Sequence, residues 1–254
     1  MKICVLASGS EGNSTYIETK KHKVLIDLGK NVSYIKQKLD EIDVDIKEIN
    51  AVVISHTHSD HISAISGFIK KYDAEIYVSE KMLDELQELE KHSKVRIYDE
   101  VINFDELIIQ PFKSSHDVVD SRNFIITTEG KNVAYVTDTG YINKKHFEKL
   151  SNLDIYLFES NHDVEMLMNG PYPTWLKRRV VGTCGHLSNR DAAIYLAKFI
   201  GPNTQKVILT HLSKKNNKPQ LAMETIKEVF AEYEINFNNI VCAEQNSKSE
   251  IIII

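Results

Sequence analysis

INAVVISHTHSDHISAI, residues 49–65, sets three of the chain's ten histidines and an aspartate within six positions, directly after an apolar run. AVVIS reads as a strand because its residues are apolar and largely β-branched. In the extended chain beyond it, side chains two apart share a face, so His56 and His58 point the same way. Asp60 and His61 follow where the chain turns toward a segment with helical spacing, 62–72. Imidazole nitrogen and carboxylate oxygen suit zinc, manganese or iron(II) rather than calcium. A polar loop or helix cap explains one histidine well, but not the spacing H-x-H-x-D-H.

Four residues cannot complete the shells of two adjacent ions, so further ligands are expected at other strand ends. His116 follows LIIQPFKSS, Asp138 follows NVAYVT and His211 follows KVILT, each the first strong ligand after a strand-like run. Singly, each has an ordinary explanation: a turn-capping aspartate or a buried, hydrogen-bonded imidazole. The repeated context joins them to the first stretch.

The remaining chain bounds the rest. At 254 residues with 42% apolar and 26% charged side chains, it holds enough apolar material for a large core and too few prolines and glycines for long disorder. A net charge of −5 argues against a whole-molecule attraction for nucleic acid, so any basic surface is local. No segment has the length of a membrane span or the pattern of a signal peptide, and Cys4, Cys184 and Cys242 read as reduced thiols. A cytosolic protein that binds no membrane is expected.

Twelve short apolar runs read as strands: KICVLAS, STYIET, KVLIDLG, AVVISH, EIYVSE, KVRIYD, LIIQPF, NFIITTE, NVAYVTD, DIYLFES, KVILTH and SEIIII. The last is expected in the core. Helical spacing marks 31–42, 62–72, 80–90, 143–151, 188–199 and 219–233, while TTEGKN at 127–132 has hairpin punctuation. Strands and helices mixed throughout suit two sheets covered by helices. With no linker-like composition break, residues 1–254 read as a single domain.

SHTHSDH, SSHD, VTDTG and LTHLS together resemble the ligand series of the metallo-β-lactamase superfamily. That resemblance implies an α/β chain (α+β in its segregation of elements) folded as a four-layer αββα sandwich, with two mixed β-sheets flanked by helices. It also implies two divalent metal ions, zinc or manganese, at one edge between the sheets. His56, His58 and His116 would hold one ion, Asp60, His61 and His211 the other, and Asp138 would bridge them. Two ions about 3.5–4 Å apart deprotonate a shared water and stabilise the charge developing on a cleaved ester. Asp60 would also orient the attacking hydroxide. A carboxylate at 138 favours a general two-metal hydrolase over a β-lactamase.

Three further stretches bear on the substrate. ASGSEGNSTYIET, residues 7–19, places Ser8, Ser10, Asn13 and Ser14 between two strands, where they and the backbone N–H groups can face an anion. A tight turn shaped by Gly9 and Gly12 is the plainer reading. CGHLSNRDAAIYLAKF puts His186 just ahead of Ser188, an N-cap with Asp191 at the third helical position, and Asn189 follows. The stretch resembles one in tRNA-processing RNase Z, where a histidine assisted by a glutamate protonates the leaving oxygen. His186 is therefore the expected acid and Glu159, in YLFESNHD, its partner, with His162 a further candidate for the site. MLMNGPYPTWLKRRVVG, residues 166–182, combines Trp175, Lys177 and Arg178 as a base-stacking and phosphate-pairing surface, or else a core tryptophan beside a solvated basic face.

These motifs together resemble the YycJ (WalJ) subgroup, small bacterial proteins regarded as metal-dependent nucleases with 5′ to 3′ exonuclease action on DNA. A DNA partner, with a role in DNA repair or processing, is the expectation from this resemblance. The competing functions are hydrolysis of a small ester, thioester or lactone on the same dinuclear site, and a non-catalytic metal-bearing interaction protein. His22, His92 and His146 read as solvated surface residues, and Cys184 as a small buried thiol.

Overall fold

The computed structural model describes every residue except position 91. The chain forms two compact units, one of Met1–Pro111, Val118–Arg122 and Glu244–Ile254, the other of Phe112–Asp117 and Asn123–Ala243. In chain order the elements are β1 (Lys2–Ala7), β2 (Ser14–Glu18), β3 (Lys23–Ile26), α1 (Val32–Asp40), β4 (Ala51–Val53), α2 (Ser59–Ile62), α3 (Ile65–Phe68), β5 (Glu75–Val78), α4 (Glu80–Leu83), β6 (Val95–Ile97), β7 (Ile102–Asn103) and β8 (Ile108–Lys113). There follow β9 (Arg122–Thr128), β10 (Lys131–Val136), α5 (Phe147–Leu150), β11 (Ile155–Glu159), α6 (Val164–Asn169), α7 (Thr174–Val181), α8 (Asn189–Phe199), β12 (Lys206–Thr210), α9 (Pro219–Glu232), β13 (Ile240–Cys242) and β14 (Ile252–Ile253). All twelve runs read as strands become strands, and the two not foreseen, β7 and β13, are only two and three residues long.

The first unit carries a seven-stranded mixed sheet in the order β14-β1-β2-β3-β4-β5-β6. β1, β2 and β3 pair antiparallel, and β3 through β6 run parallel. Val24, Leu25 and Ile26 on β3, and Ala51, Val52 and Val53 on β4, are all buried, as expected where both faces of a parallel pair are covered. α1 begins at Asn31, whose side chain accepts from the Tyr34 N–H, and the Tyr34 hydroxyl donates to the Leu6 carbonyl at 3.2 Å, tying the helix to β1.

In the other sheet, ordered β13-β12-β11-β10-β9-β8-β7, β9 and β10 form a hairpin and β10 through β13 run parallel. Its tight turn uses Glu129 and Gly130 at positive φ, the backbone that a two-residue loop between right-twisted strands demands. Within the second unit, Ala134, Val136, Tyr156, Phe158, Val207 and Leu209 pack with Leu150 of α5, Leu196 and Phe199 of α8, and Ile226 and Val229 of α9 in one apolar cluster. Tyr156 and Phe158 lie two apart on β11 and so share a face. Truncating Phe158 to alanine would cost about 3–5 kcal/mol by this burial.

Several local readings are corrected. The helical spacing at 62–72, 80–90 and 143–151 yields only short turns of three or four residues each. SEIIII forms an edge strand: Ile252 is buried but Ile253 is 74% exposed, since β14 pairs with β1 alone. His146 is buried against the Phe112 ring, with centroids 4.9 Å apart. His22 and His92 are half-buried, the former 2.9 Å from Glu106 Oε1. Cys184 is exposed, on the loop ahead of His186. Among the described residues, no helix is long and apolar enough to cross a membrane.

Candidate metal centre

The first unit presents its histidines from the end of β4, where the chain leaves the sheet through Ile54 and Ser55. Asp27, one residue beyond β3, takes a left-handed backbone at φ 64° and is fully buried. Its Oδ1 accepts from the Ser55 N–H at 2.7 Å, and its Oδ2 lies 2.7 Å from both Ser55 Oγ and His61 Nδ1. A carboxylate at Nδ1 keeps the proton on that nitrogen and turns Nε2 into the ligating atom. The His56 ring lies 4.0 Å from that of His61 and 5.0 Å from that of His58, centroid to centroid. His56 and His61 are buried, while His58 and Asp60 are half-buried.

Asp60 is set by the turn after β1. Asn13 Nδ2 donates to Asp60 Oδ2 at 3.1 Å and lies 3.0 Å from His61 Nε2, and the Asn13 N–H donates to the Asp60 carbonyl at 2.7 Å. Gly29 lets these chains meet: a Cβ there would stand 2.1 Å from the Asp60 carbonyl oxygen and 2.2 Å from the Asn13 nitrogen. Ser14 Oγ donates to the Asp27 carbonyl at 2.9 Å, so Asn13 and Ser14 both have partners within the unit. Ser8 is buried and Ser10 exposed.

In the second unit the candidate residues gather at the carboxyl ends of parallel strands, where open α/β sheets carry ligands. Asp138 lies just beyond β10, Glu159 ends β11 and His211 follows β12; the β11–β12 register pairs Glu159 with Thr210. Asp138 and His211 take left-handed backbone at φ 50° and 55°, a conformation uncommon outside glycine that is frequent at functional sites. The two side chains meet there, with His211 Nδ1 3.5 Å from Asp138 Oδ1. Thr137 Oγ1 donates to Asp138 Oδ2 at 2.6 Å, and Ser114 Oγ to the Asp138 carbonyl at 3.0 Å.

Glu159 is fully buried and serves four donors. Its Oε1 lies 2.8 Å from His186 Nδ1 and 2.9 Å from His211 Nδ1, and its Oε2 accepts from the N–H groups of Thr139 and Leu187 at 3.0 and 3.2 Å. Burial alone would raise this carboxyl, but the charge and hydrogen bonds of His186, then His211, outweigh it and hold it well below the usual carboxylate range. His162, also buried, is pushed down to about 4 by desolvation and is a neutral imidazole at pH 7.

His116 Nδ1 donates to the Gly185 carbonyl at 3.1 Å, so its Nε2 offers a lone pair; that atom stands 3.6 Å from Asp138 Oδ1. Two acceptors facing each other at this distance repel unless a cation lies between them. Ligand atoms of Asp138, Glu159, His186 and His211 lie within 4.8 Å of one another. The donor chemistry of each unit therefore fits a divalent ion: imidazoles oriented at Nδ1 by carboxylate or carbonyl, next to ionised carboxylates.

Asp27 was not foreseen in the sequence, although DLG after KVLI has the same strand-end context as the other candidates. Ser188 caps α8 as expected, accepting from the Asp191 N–H at 3.1 Å and donating to Asp191 Oδ2 at 2.5 Å. Asn189 Oδ1 accepts from Ser160 Oγ at 2.7 Å, inside the unit. Trp175 is 67% exposed on α7, a helix outside the segments with marked helical spacing. Lys177 Nζ donates to the Met168 carbonyl at 2.6 Å, whereas exposed Arg178 has no ion-pair partner among the described residues.

A family model described as a beta-lactamase superfamily domain matches residues 22–212. The chain is 36% identical to the exodeoxyribonuclease WalJ of Streptococcus pneumoniae over 241 residues, covering 92% of this chain and 90% of that one. It is 32% identical to the exodeoxyribonuclease YycJ of Bacillus anthracis over 233 residues, covering 90% and 88%. The metallo-beta-lactamase fold protein YhfI from Bacillus subtilis superposes with a TM-score of 0.74 over 98% of each chain at 17% identity, which shows the fold. The chain belongs to the metallo-β-lactamase superfamily and is a metal-dependent hydrolase.

Proposed function

We propose that the protein is a two-metal phosphodiesterase acting on nucleic acid, a 5′ to 3′ exonuclease of DNA in repair or processing. The observation that carries this reading is the Glu159–His186 pair, 2.8 Å apart at the end of β11 beside Asp138. An expelled alkoxide is a poor leaving group unless an acid protonates it. With Nδ1 held by Glu159, an imidazolium at His186 carries its second proton on Nε2, and the side chain is partly open to solvent at 19% exposure. His186 is thus the proton donor and Glu159 the group that orients it. The names of the two relatives, both exodeoxyribonucleases, support the choice of DNA.

His56, His58 and His116 would hold one divalent ion, and Asp60, His61 and His211 the other, with Asp138 shared, as family membership implies. Bound there, zinc or manganese would supply a nucleophile from water at neutral pH and charge stabilisation for the phosphoryl oxygens. Asp60, steadied by Asn13, orients the attacking group. Trp175 and Arg178, one helical turn apart on α7, offer a stacking face and a phosphate partner to a single strand. In the first unit Ser8, Ser10, Asn13 and Ser14, and in the second Lys177, Ser188 and Asn189, are the further residues assigned to the substrate, some of them by fixing loops. Three unbridged cysteines suit a cytoplasmic setting.

The test is digestion of 5′-phosphorylated, end-labelled single- and double-stranded DNA by protein loaded with manganese or zinc, beside thioester and lactone substrates. Stepwise loss of nucleotides from the 5′ end, abolished in Asp60→Asn, is the expected result. Turnover of the small esters alone, or metal binding without turnover, would overturn it.

A further inference from the structure

Beside His186 the second unit has an open hollow of about 300 Å³, lined by His162, Val164, Met168, Val181, Ser188 and Asp191, together with Gly140 and His186 itself. Its wall is apolar where α6 and α7 face it: Val164, Met168 and Val181 are 49%, 57% and 49% exposed. Such side chains left open to water on one wall invite a flat apolar ligand. At its floor, His162 is 2% exposed and its Nδ1 has no hydrogen-bond partner. A buried imidazole nitrogen without a partner is costly, and a ligand group that reaches it recovers the loss. No lysine or arginine lines the hollow, whereas the Asp191 carboxylate does, so the electrostatics disfavour a phosphate and favour a neutral group with N–H donors.

We infer that this hollow seats the base of the nucleotide being released, with His162 and Asp191 at its polar edge and Val164, Met168 and Val181 against its face. The inference rests on the nuclease reading. Release of a 5′-mononucleotide adds water oxygen to phosphorus and breaks the bond from phosphorus to O3′; O3′ leaves with a proton from His186. That oxygen belongs to the released nucleotide, whose base is therefore the one within reach of a hollow that His186 lines. A volume near the lower end of ligand pockets, which begin at about 300 Å³, takes one nucleoside and no more.

The experiment compares kcat/KM of the metal-loaded protein on 5′-phosphorylated single strands whose terminal nucleotide is either normal or abasic. The intact base should be favoured about tenfold, the worth of one buried hydrogen bond with apolar contact. Filling the hollow by Met168→Trp, and independently by Val164→Trp, should bring the ratio toward one, while circular dichroism reports whether each variant is folded. Equal cleavage of both ends by the wild type, or a ratio that persists in both folded variants, overturns the inference and leaves the nuclease reading standing. Failure of the wild type to cut either strand overturns the nuclease reading and this inference with it.

Discussion

Glu159 Oε1 lies 2.8 Å from His186 Nδ1, at the carboxyl end of the second of four adjacent parallel strands. The same oxygen reaches His211 Nδ1 at 2.9 Å, so one buried carboxylate aligns both the proposed acid and a proposed ligand. This joint role separates Glu159 from a simple member of a catalytic pair.

If His186 protonates the leaving oxygen, its removal matters in proportion to the basicity of that oxygen. His186→Ala should lower kcat on DNA by about 10²–10⁴-fold. On bis(p-nitrophenyl) phosphate, whose phenolate leaves without help, the loss should be tenfold or less, by roughly 1.4 kcal/mol. Parallel kinetics on the two substrates check this, and equal losses would count against the acid role.

Asp27 holds His61 by the Nδ1 contact at 2.7 Å. Asp27→Asn tolerates the left-handed backbone and keeps an oxygen for the Ser55 N–H, yet removes the charge that makes His61 a good ligand. Metal affinity should fall about 10–100-fold, read by competition with a chromogenic chelator.

Trp175 and Arg178 project from α7 with little to hold in place. Trp175→Ala should weaken single-stranded DNA binding by about 1–3 kcal/mol and leave Tm unchanged. Arg178→Ala should reduce the slope of log K against log salt by about 0.7. Fluorescence anisotropy across a salt series measures both.

Burial pushes His146 down to about 4, with Lys149 and Lys145 adding to the effect, from an ordinary value of 6.5. The unfolded chain therefore binds the extra proton between pH 6.5 and 4, so the contribution of this site is present above the upper limit and lost as pH falls through the lower. His146→Phe should flatten the fall in stability of the metal-free protein across that window by at most about 3 kcal/mol. Urea unfolding at a series of pH values reads the difference.

The strands and most of the candidate ligands are legible in the order of residues along the chain. His56, His58, Asp60 and His61 lie in one short run, and His116, Asp138 and His211 each follow an apolar run, so local order sufficed to find them. Glu159 and His186 came from motif resemblance, and Asp27 was passed over because an aspartate after a strand is common and only its contact with His61 distinguishes it. Tertiary structure alone decided burial and the identity of partners. His146 lies against Phe112, thirty-four positions away, Cys184 is exposed where a small buried thiol is expected, and Trp175 takes the exposed one of its two readings. The physical reason is range: strand propensity and ligand order are written within a few residues, whereas burial and the orientation of an imidazole depend on atoms that only the folded chain brings near.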